Sequence, residues 1–460
     1  MTSSPESPES DSRSTDEAHQ RNRRRHRGIV TAALSAFFGK GMSLLVNVVT
    51  VPITVRYLGP ESFGLWITIS STVTMFFVLD IGISNTLINL VSEAYARDDR
   101  NRAAEYFSTA FWILVGVVGL LSVVGWVIWP HVQWAAIFNV RNPALIPETS
   151  RAMAAAFVVF LFSLPTGLAT KVLAGYQELH VANLFATGGS ILSLVVVLVV
   201  VYLHGGLAAL VAGYAGSTAV ANLACLLWMS FSRKPWMKPW PRRFRPRLIG
   251  PIFSSGTQFF AIQMAGLIVF SSDNLIISHY LSPVRVTPYA VTWRLFNYIV
   301  ALQSLFVPAL WPAYSEAYAT GHLEWIRSTY SRVRRFTVIA LAAGCTIMLF
   351  EGRSIIRIWA GPAAVPTTSL VWLMCVWIAI FAFSNNQSCL MMATNRVGKQ
   401  AVLGPLAALV NLGLSILWVK TIGPVGVLLA TVLSYLVFIV AMQSWEVKRI
   451  MRGDFLQGGV

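Results

Sequence analysis

The sequence predicts an all-α polytopic membrane protein, about twelve transmembrane helices in two parallel six-helix repeats around a central cavity. Three observations carry that expectation. Of the 460 residues, 55% are hydrophobic and 12% charged, and mean hydropathy is +0.63, whereas a soluble chain carries about a quarter of its residues charged. Long apolar stretches alternate with short basic segments, and at about 20 residues per span the composition allows about a dozen crossings. Finally, short motifs recur at one fixed offset. A β-barrel is excluded because strands of a barrel alternate, while residues 193–202 read SLVVVLVVVY.

Residues 1–28 begin rich in Ser, Pro and Glu and end in RNRRRHR, so a disordered basic tail is expected, its end meeting anionic headgroups. Twelve spans are expected at 31–56, 63–90, 106–129, 152–174, 182–203, 207–231, 250–280, 287–311, 335–351, 367–390, 400–420 and 425–445, the ninth being the shortest. They group into an N-terminal bundle (29–231), a basic Pro-rich linker (232–249), a C-terminal bundle (250–445) and a tail (446–460). No cleavable signal peptide is expected, because the first apolar run is long enough to span.

The net charge of +16 would suggest nucleic-acid binding in a soluble protein. Here the cations sit between spans, and no nucleic-acid partner is expected. On this map one side carries 26 Lys and Arg and the other seven, with Lys40 and Arg294 inside spans. The positive-inside rule then puts both termini in the cytoplasm. Trp126, Trp129, Trp134, Trp236 and Trp240 fall near interfaces and read as belt residues. The four prolines of Arg233–Arg247 disfavour a continuous helix and suggest an extended linker along the inner headgroups. Cys225, Cys345, Cys375 and Cys389 read as small core residues without a disulfide or metal framework.

The repeat is legible in two motifs. Tyr57-Leu58-Gly59-Pro60 recurs as Tyr280-Leu281-Ser282-Pro283, and Ser92–Ala96 (SEAYA) recurs at Ser315–Ala319, both at an offset of 223. Six spans per half, an even number, make the repeats parallel, related by an axis along the membrane normal, as in transporters with alternating access. Gly59 supplies the backbone freedom for a tight hairpin and Pro60 starts the next helix. Glu93 and Glu316 reach headgroup level, where bonding to a neighbouring loop is favoured over a coupling role.

The stretch FFGKGMSLLVNVVTVPITVRYLGPESFGLWITIS with LDIGISNTLINLVSEAYARDDR resembles the N-terminal half of Wzx-type polysaccharide flippases of the multidrug/oligosaccharidyl-lipid/polysaccharide (MOP) superfamily. FSSDNLIISHYLSPVRVTPYAVTWRLFNYIV with LFVPALWPAYSEAYA resembles the C-terminal half, so the likeness covers residues 30–445. It implies movement of undecaprenyl-diphosphate-linked oligosaccharide from the inner to the outer leaflet of a bacterial inner membrane. The implied partners are membrane lipids and the polysaccharide polymerase and chain-length machinery. The family often has Gly where Ser282 stands.

Ionisable residues within spans are costly and usually line a cavity. Lys40, Ser43, Asn47, Thr50 and Thr54 are spaced 3, 4, 3 and 4, one helical face. That face is a cavity lining or a packing seam, and Lys40 favours the cavity. Asp80 and Asp273 are candidates for ion coupling, or for helix-end bonding or pairing with a cation. Arg294 is a candidate for gripping a diphosphate through its guanidinium fork, or for pairing with Asp273. Residues 384–388 (SNNQS) offer hydrogen bonds to sugar hydroxyls or to neighbouring helices. No P-loop, nucleotide-binding domain or paired metal motif is present in the sequence, so neither an enzyme nor a cofactor is expected. The rival readings are a small-molecule exporter of the same superfamily and, less favoured, a membrane glycosyltransferase or polymerase.

Overall fold

The computed structural model describes the backbone of residues 8–453 except 81, 308, 309, 395 and 397. Side chains are described from residue 37 on, except 254–262, 302, 304–306, 312 and 319. The expected tail lies outside the described side chains, although the helical trace of α1 begins at Pro8. The helices are α1 (Pro8–Phe76), α2 (Ile83–Ala96), α3 (Arg100–Ile128), the single turn α4 (Trp134–Ile137), α5 (Leu145–Thr166), α6 (Leu168–Gly175), α7 (Leu179–Tyr202) and α8 (Leu207–Trp228). After the linker come α9 (Ile249–Tyr280), α10 (Pro283–Phe306), α11 (Leu310–Ala319), α12 (Leu323–Ala360), α13 (Thr368–Ala393), α14 (Gly398–Ile422), α15 (Pro424–Ser434) and α16 (Ala441–Arg452).

Nine described stretches are long and apolar enough to cross a membrane, among them Phe37–Asp80, Arg100–His131 and Pro424–Arg452. The first of these contains a break at Gly59, whose φ of +74° divides α1 into two arms. A residue with a Cβ avoids that region. At the corresponding place in the second half, Ser282 is extended (φ −178°) and needs no glycine. The second expected span is also interrupted: a 3-10 turn, Phe77–Asp80, and Gly82 at φ +73° separate α1 from α2. The ninth span is not the shortest. It is the 38-residue α12, because an arginine-rich exposed face keeps the helix going ahead of its apolar stretch.

Burial divides the protein by end. One core joins the two halves at the end away from the basic loops, bringing Phe63, Trp66, Phe138 and Val211 together with Ile277, Tyr289, Phe296 and Trp377. At the basic end there are two separate cores. The first holds Ile83, Phe107, Leu173 and Met229 with Ile252 at the start of α9. The second holds Tyr314, Ile326, Leu390 and Ile450. Most short polar bonds between the halves lie at the joined end, while Asn85 of α2 reaches Gln263 of α9 at 3.4 Å. At the joined end the Arg56 guanidinium donates to the Ile358 carbonyl (2.7 Å), Ser278 Oγ to Phe138 O (2.8 Å), Asn139 Nδ2 to Leu281 O (2.9 Å) and Thr287 Oγ1 to Pro60 O (2.5 Å).

The linker is a strap docked on the protein rather than an extended segment along the headgroups. Three short proline-led turns, Pro235–Met237, Pro241–Arg243 and Pro246–Leu248, let it follow the surface of α3. There Trp112 Nε1 donates to Pro239 O (3.1 Å) and Arg245 Nε to Glu105 Oε1 (2.8 Å). Its head is Lys234, buried over the Tyr176 ring (4.2 Å) with its ammonium 3.0 Å from Glu178 Oε1. Burial lowers the Lys234 ammonium below its ordinary range, against the opposing pull of Glu178. Trp236 is covered by Arg100 at 5.0 Å, so it belongs to the strap and not to a lipid belt. Trp126, 81% exposed, has the exposure that the belt reading requires.

Candidate functional site

The second arm of α1 meets α9 and α10 at a polar cavity of about 140 Å³ between the halves. Ile67, Ser70, Ser71 and Thr74 line it from one face of α1, at the 3, 4 and 7 spacing of a helix. Opposite stand Asp273 and Asn274 on α9, and Tyr289, Trp293 and Arg294 on α10. Tyr289 Oη donates to Asp273 Oδ2 at 2.5 Å, and both residues are almost wholly buried. The second carboxylate oxygen, Oδ1, is buried without a partner. Asn274 Nδ2 donates to Ser71 Oγ at 2.9 Å, a direct bond between the halves. Trp293 stacks between Tyr289 (6.1 Å) and Trp377 (5.7 Å) and fixes this wall of α10.

Arg294 lines the same cavity, yet no ion pair within 4.0 Å joins it to Asp273. Among the described residues its guanidinium makes no hydrogen bond or salt bridge. The pairing of Arg294 with Asp273, one of the two readings of the sequence, is absent from this conformation. A half-buried fork of five donors with no protein acceptor suits an external anion.

Lys40 and Asn47 line a different cleft, of about 390 Å³, with Ser43, Asn183, Thr187 and Ala301. It lies between the first arm of α1, α7 and α10. Ala301 is seven residues beyond Arg294, nearly two helical turns or about 10 Å along the same face of α10. The Lys40 cleft and the Arg294 cavity are therefore successive stations beside one helix face. The polar stripe divides along its length. Ser43 Oγ meets Ser190 Oγ at 3.0 Å on α7 and Asn47 remains half-buried at the cleft, whereas Thr50 and Thr54 are buried. Thr54 Oγ1 donates back to Thr50 O at 2.8 Å, so its hydroxyl is satisfied within the helix.

Asp80 is not brought into either cavity. Its carboxylate accepts from Ser84 Oγ (2.9 Å) and Ser84 N (3.3 Å), so from the end of the 3-10 turn it reaches across the N-cap Gly82 to the first turn of α2. Of residues 384–388, Ser384, Asn386, Gln387 and Ser388 bond to neighbouring helices. Ser384 Oγ donates to Gln443 Oε1 (2.7 Å), Gln443 Nε2 to Ser388 Oγ (2.7 Å), and Asn386 receives Gln303 Nε2 (2.7 Å) and donates to Thr337 Oγ1 (3.0 Å). Glu93 pairs with Arg97 at 2.8 Å on the exposed surface. Tyr289, Asn274 and Ser71 were not singled out by the sequence. Asn274 had a signal in its position next to Asp273; Ser71 and Tyr289 become polar neighbours only once three helices meet.

A helical membrane protein with a polar cavity between two halves belongs to the transporter class of folds. Residues 29–317, more than half of the chain, match the family described as polysaccharide biosynthesis protein. The chain belongs to that family, and it is a multi-pass membrane protein. It is 24% identical over 287 residues to a provisionally named O-antigen transporter of Salmonella typhi, a match covering 62% of this chain and 64% of that one, less than two thirds of the relative's length. A provisionally named O-antigen export protein of Yersinia pseudotuberculosis is 20% identical over 384 residues, 76% of this chain and 85% of that one. Among solved structures, the inward-facing conformation of a multidrug resistance MATE family transporter of the MOP superfamily superimposes with a TM-score of 0.76 at 15% identity, covering 93% of this chain and 100% of that one. An outward-facing conformation of a MATE family transporter of that superfamily gives 0.65 at 16% identity, over 93% and 96%.

Proposed function

We propose that the protein is a flippase moving undecaprenyl-diphosphate-linked oligosaccharide across a bacterial inner membrane for surface polysaccharide synthesis. The observation that carries this reading is Arg294, a cation without a protein acceptor on the wall of a cavity between two halves. The diphosphate is held by Arg294 and guided from the Lys40 cleft, sugars occupy the polar space, and the polyprenyl chain stays in lipid. With the basic loops cytoplasmic, the separate cores at that end correspond to the side from which substrate enters. Alternating access exchanges the joined end for the open one, and no bond of the substrate is made or broken.

Arg294 and Asp273 provide the test, with flipping and protein abundance both measured. A guanidinium that grips a diphosphate must be cationic and forked, so Arg294→Lys is expected to keep only part of the activity and Arg294→Ala very little. If Arg294 serves only to neutralise Asp273 in another conformation, the double change Arg294→Ala with Asp273→Ala restores abundance and transport, which would remove Arg294 from the substrate contacts. A second reading, a cation-coupled exporter of small molecules, draws on the buried Asp273–Tyr289 pair and the aromatic wall of Trp293. It calls for Asp273→Asn to abolish export of an organic cation from cells while lipid-linked oligosaccharide remains in the inner leaflet.

A further inference from the structure

A second cavity, of about 380 Å³, lies within the C-terminal half at the end away from the basic loops. Two cations stand on its wall, Arg285 and Lys420, and no carboxylate lines it. The Arg285 guanidinium has no hydrogen-bond or ion-pair partner among the described residues. The Lys420 ammonium rests over the Tyr280 ring at 4.9 Å, a contact that leaves its charge uncompensated. Three helices begin at this cavity: α10 behind the extended Ser282 and Pro283, α13 at its N-cap Thr367, and α15 at Gly423 and Pro424. Each presents the positive end of its backbone dipole. Two full charges and three helix starts line one space without a carboxylate, while α9 and α14 end on the same wall, at Tyr280 and Ile422, with the negative ends of their dipoles. Both cations are exposed to solvent, and an anion seated between them is attracted by two charges at once.

The walls choose among anions. Leu281, Val365 and Ile422 make part of the lining apolar, which suits a phosphate attached to a lipid or sugar better than a freely hydrated halide. We propose that this cavity is a phosphate site, binding a phosphate ester or diphosphate at the end of the protein opposite its basic loops. Tyr289 lines both this cavity and the one holding Arg294, so the two are separated by the thickness of one side chain. The phosphate can come from an anionic phospholipid of that leaflet or from the diphosphate of a substrate that has crossed. Only the second source rests on the flippase reading, so the lipid measurement stands without it.

The experiment uses the purified full-length protein in detergent. Native mass spectrometry compares retention of phosphatidylglycerol with phosphatidylcholine, and calorimetry measures inorganic pyrophosphate. Wild type is expected to retain phosphatidylglycerol selectively, to bind pyrophosphate, or both. The double variant Arg285→Gln with Lys420→Gln is expected to lose at least tenfold in whichever binding is seen, whereas Arg285→Lys with Lys420→Arg keeps most of it. Loss confined to the lipid assigns the membrane as the source; loss of pyrophosphate binding assigns a free diphosphate. Absence of selectivity for either anion in wild type, or binding unchanged in the neutral double variant, overturns the proposal. Should the double variant not run as a single species on gel filtration, Arg285→Gln alone is expected to weaken binding at least threefold, and unchanged binding there overturns it equally.

Discussion

At the scale of the residue, Asp80 and Asn47 separate two kinds of polar group that look alike in sequence. Asp80 bonds to Ser84 in the first turn of α2. Asp80→Asn, which keeps an acceptor for that bond, is therefore expected to leave transport near wild type, and Asp80→Ala to cost about 1 kcal/mol in stability. Loss of transport in a well-expressed Asp80→Asn protein would instead identify a coupling carboxylate. Asn47 faces the Lys40 cleft, so Asn47→Cys should react with a membrane-impermeant maleimide while Thr54→Cys, at a wholly buried position, should not. Equal inertness of both would make the stripe a packing seam throughout. The 3, 4, 3, 4 spacing of that stripe was legible because periodicity is a property of one helix. The point at which it leaves the cleft was not, because α7 covers part of the face and its register against α1 is a tertiary fact.

Elements show the same limit on reading a sequence. Spans were legible from apolar length, yet the helical start of α12 was not, because its arginines read as a loop between spans, and neither was the break at Gly82, because one glycine barely changes the hydropathy of its stretch. That the linker docks on the protein instead of extending along the headgroups was not legible for a related reason. Proline excludes a continuous helix, but whether the segment docks depends on Glu178 and Glu105, which lie far away in sequence. Glu178→Gln leaves the Lys234 ammonium buried without its counter-charge. A loosening of about 2 kcal/mol is expected for such a partly exposed pair, read as trypsin cleavage at Arg242 or Arg243 faster by about 30-fold. Unchanged cleavage would show that the strap is held by its turns alone. Gly64 offers a second test at this scale, because a Cβ there would stand 1.8 Å from the Pro283 carbonyl oxygen on α10. Gly64→Ala should push α1 and α10 apart at a cost of about 1–3 kcal/mol. The joined end then opens more often, which raises thiol labelling of Ser278→Cys in a Gly64→Ala background. Labelling equal to that of Ser278→Cys alone would mean that the helices absorb the methyl without parting.

For the whole molecule, the one joined core and two separate cores define the conformation, and the proposed alternating access requires that they exchange. Asn139 reaches the Leu281 carbonyl across the halves, so a short thiol cross-linker between Asn139→Cys and Ser282→Cys should fasten the joined end and stop transport until it is cleaved. The orientation follows from the 26 to 7 distribution of Lys and Arg across the expected spans: a reporter near Arg243 should be cytoplasmic and one near Asn142 periplasmic. The most direct measurement is made with the purified protein in liposomes carrying lipid-diphosphate-linked oligosaccharide in one leaflet, its headgroup scored by a probe that reaches only the other. Headgroup exposure that rises with wild type, and stays near the protein-free level with well-folded Arg294→Ala, is the expected result; no protein-dependent exposure, alongside accumulation of an organic cation by the same liposomes, would contradict the flippase reading.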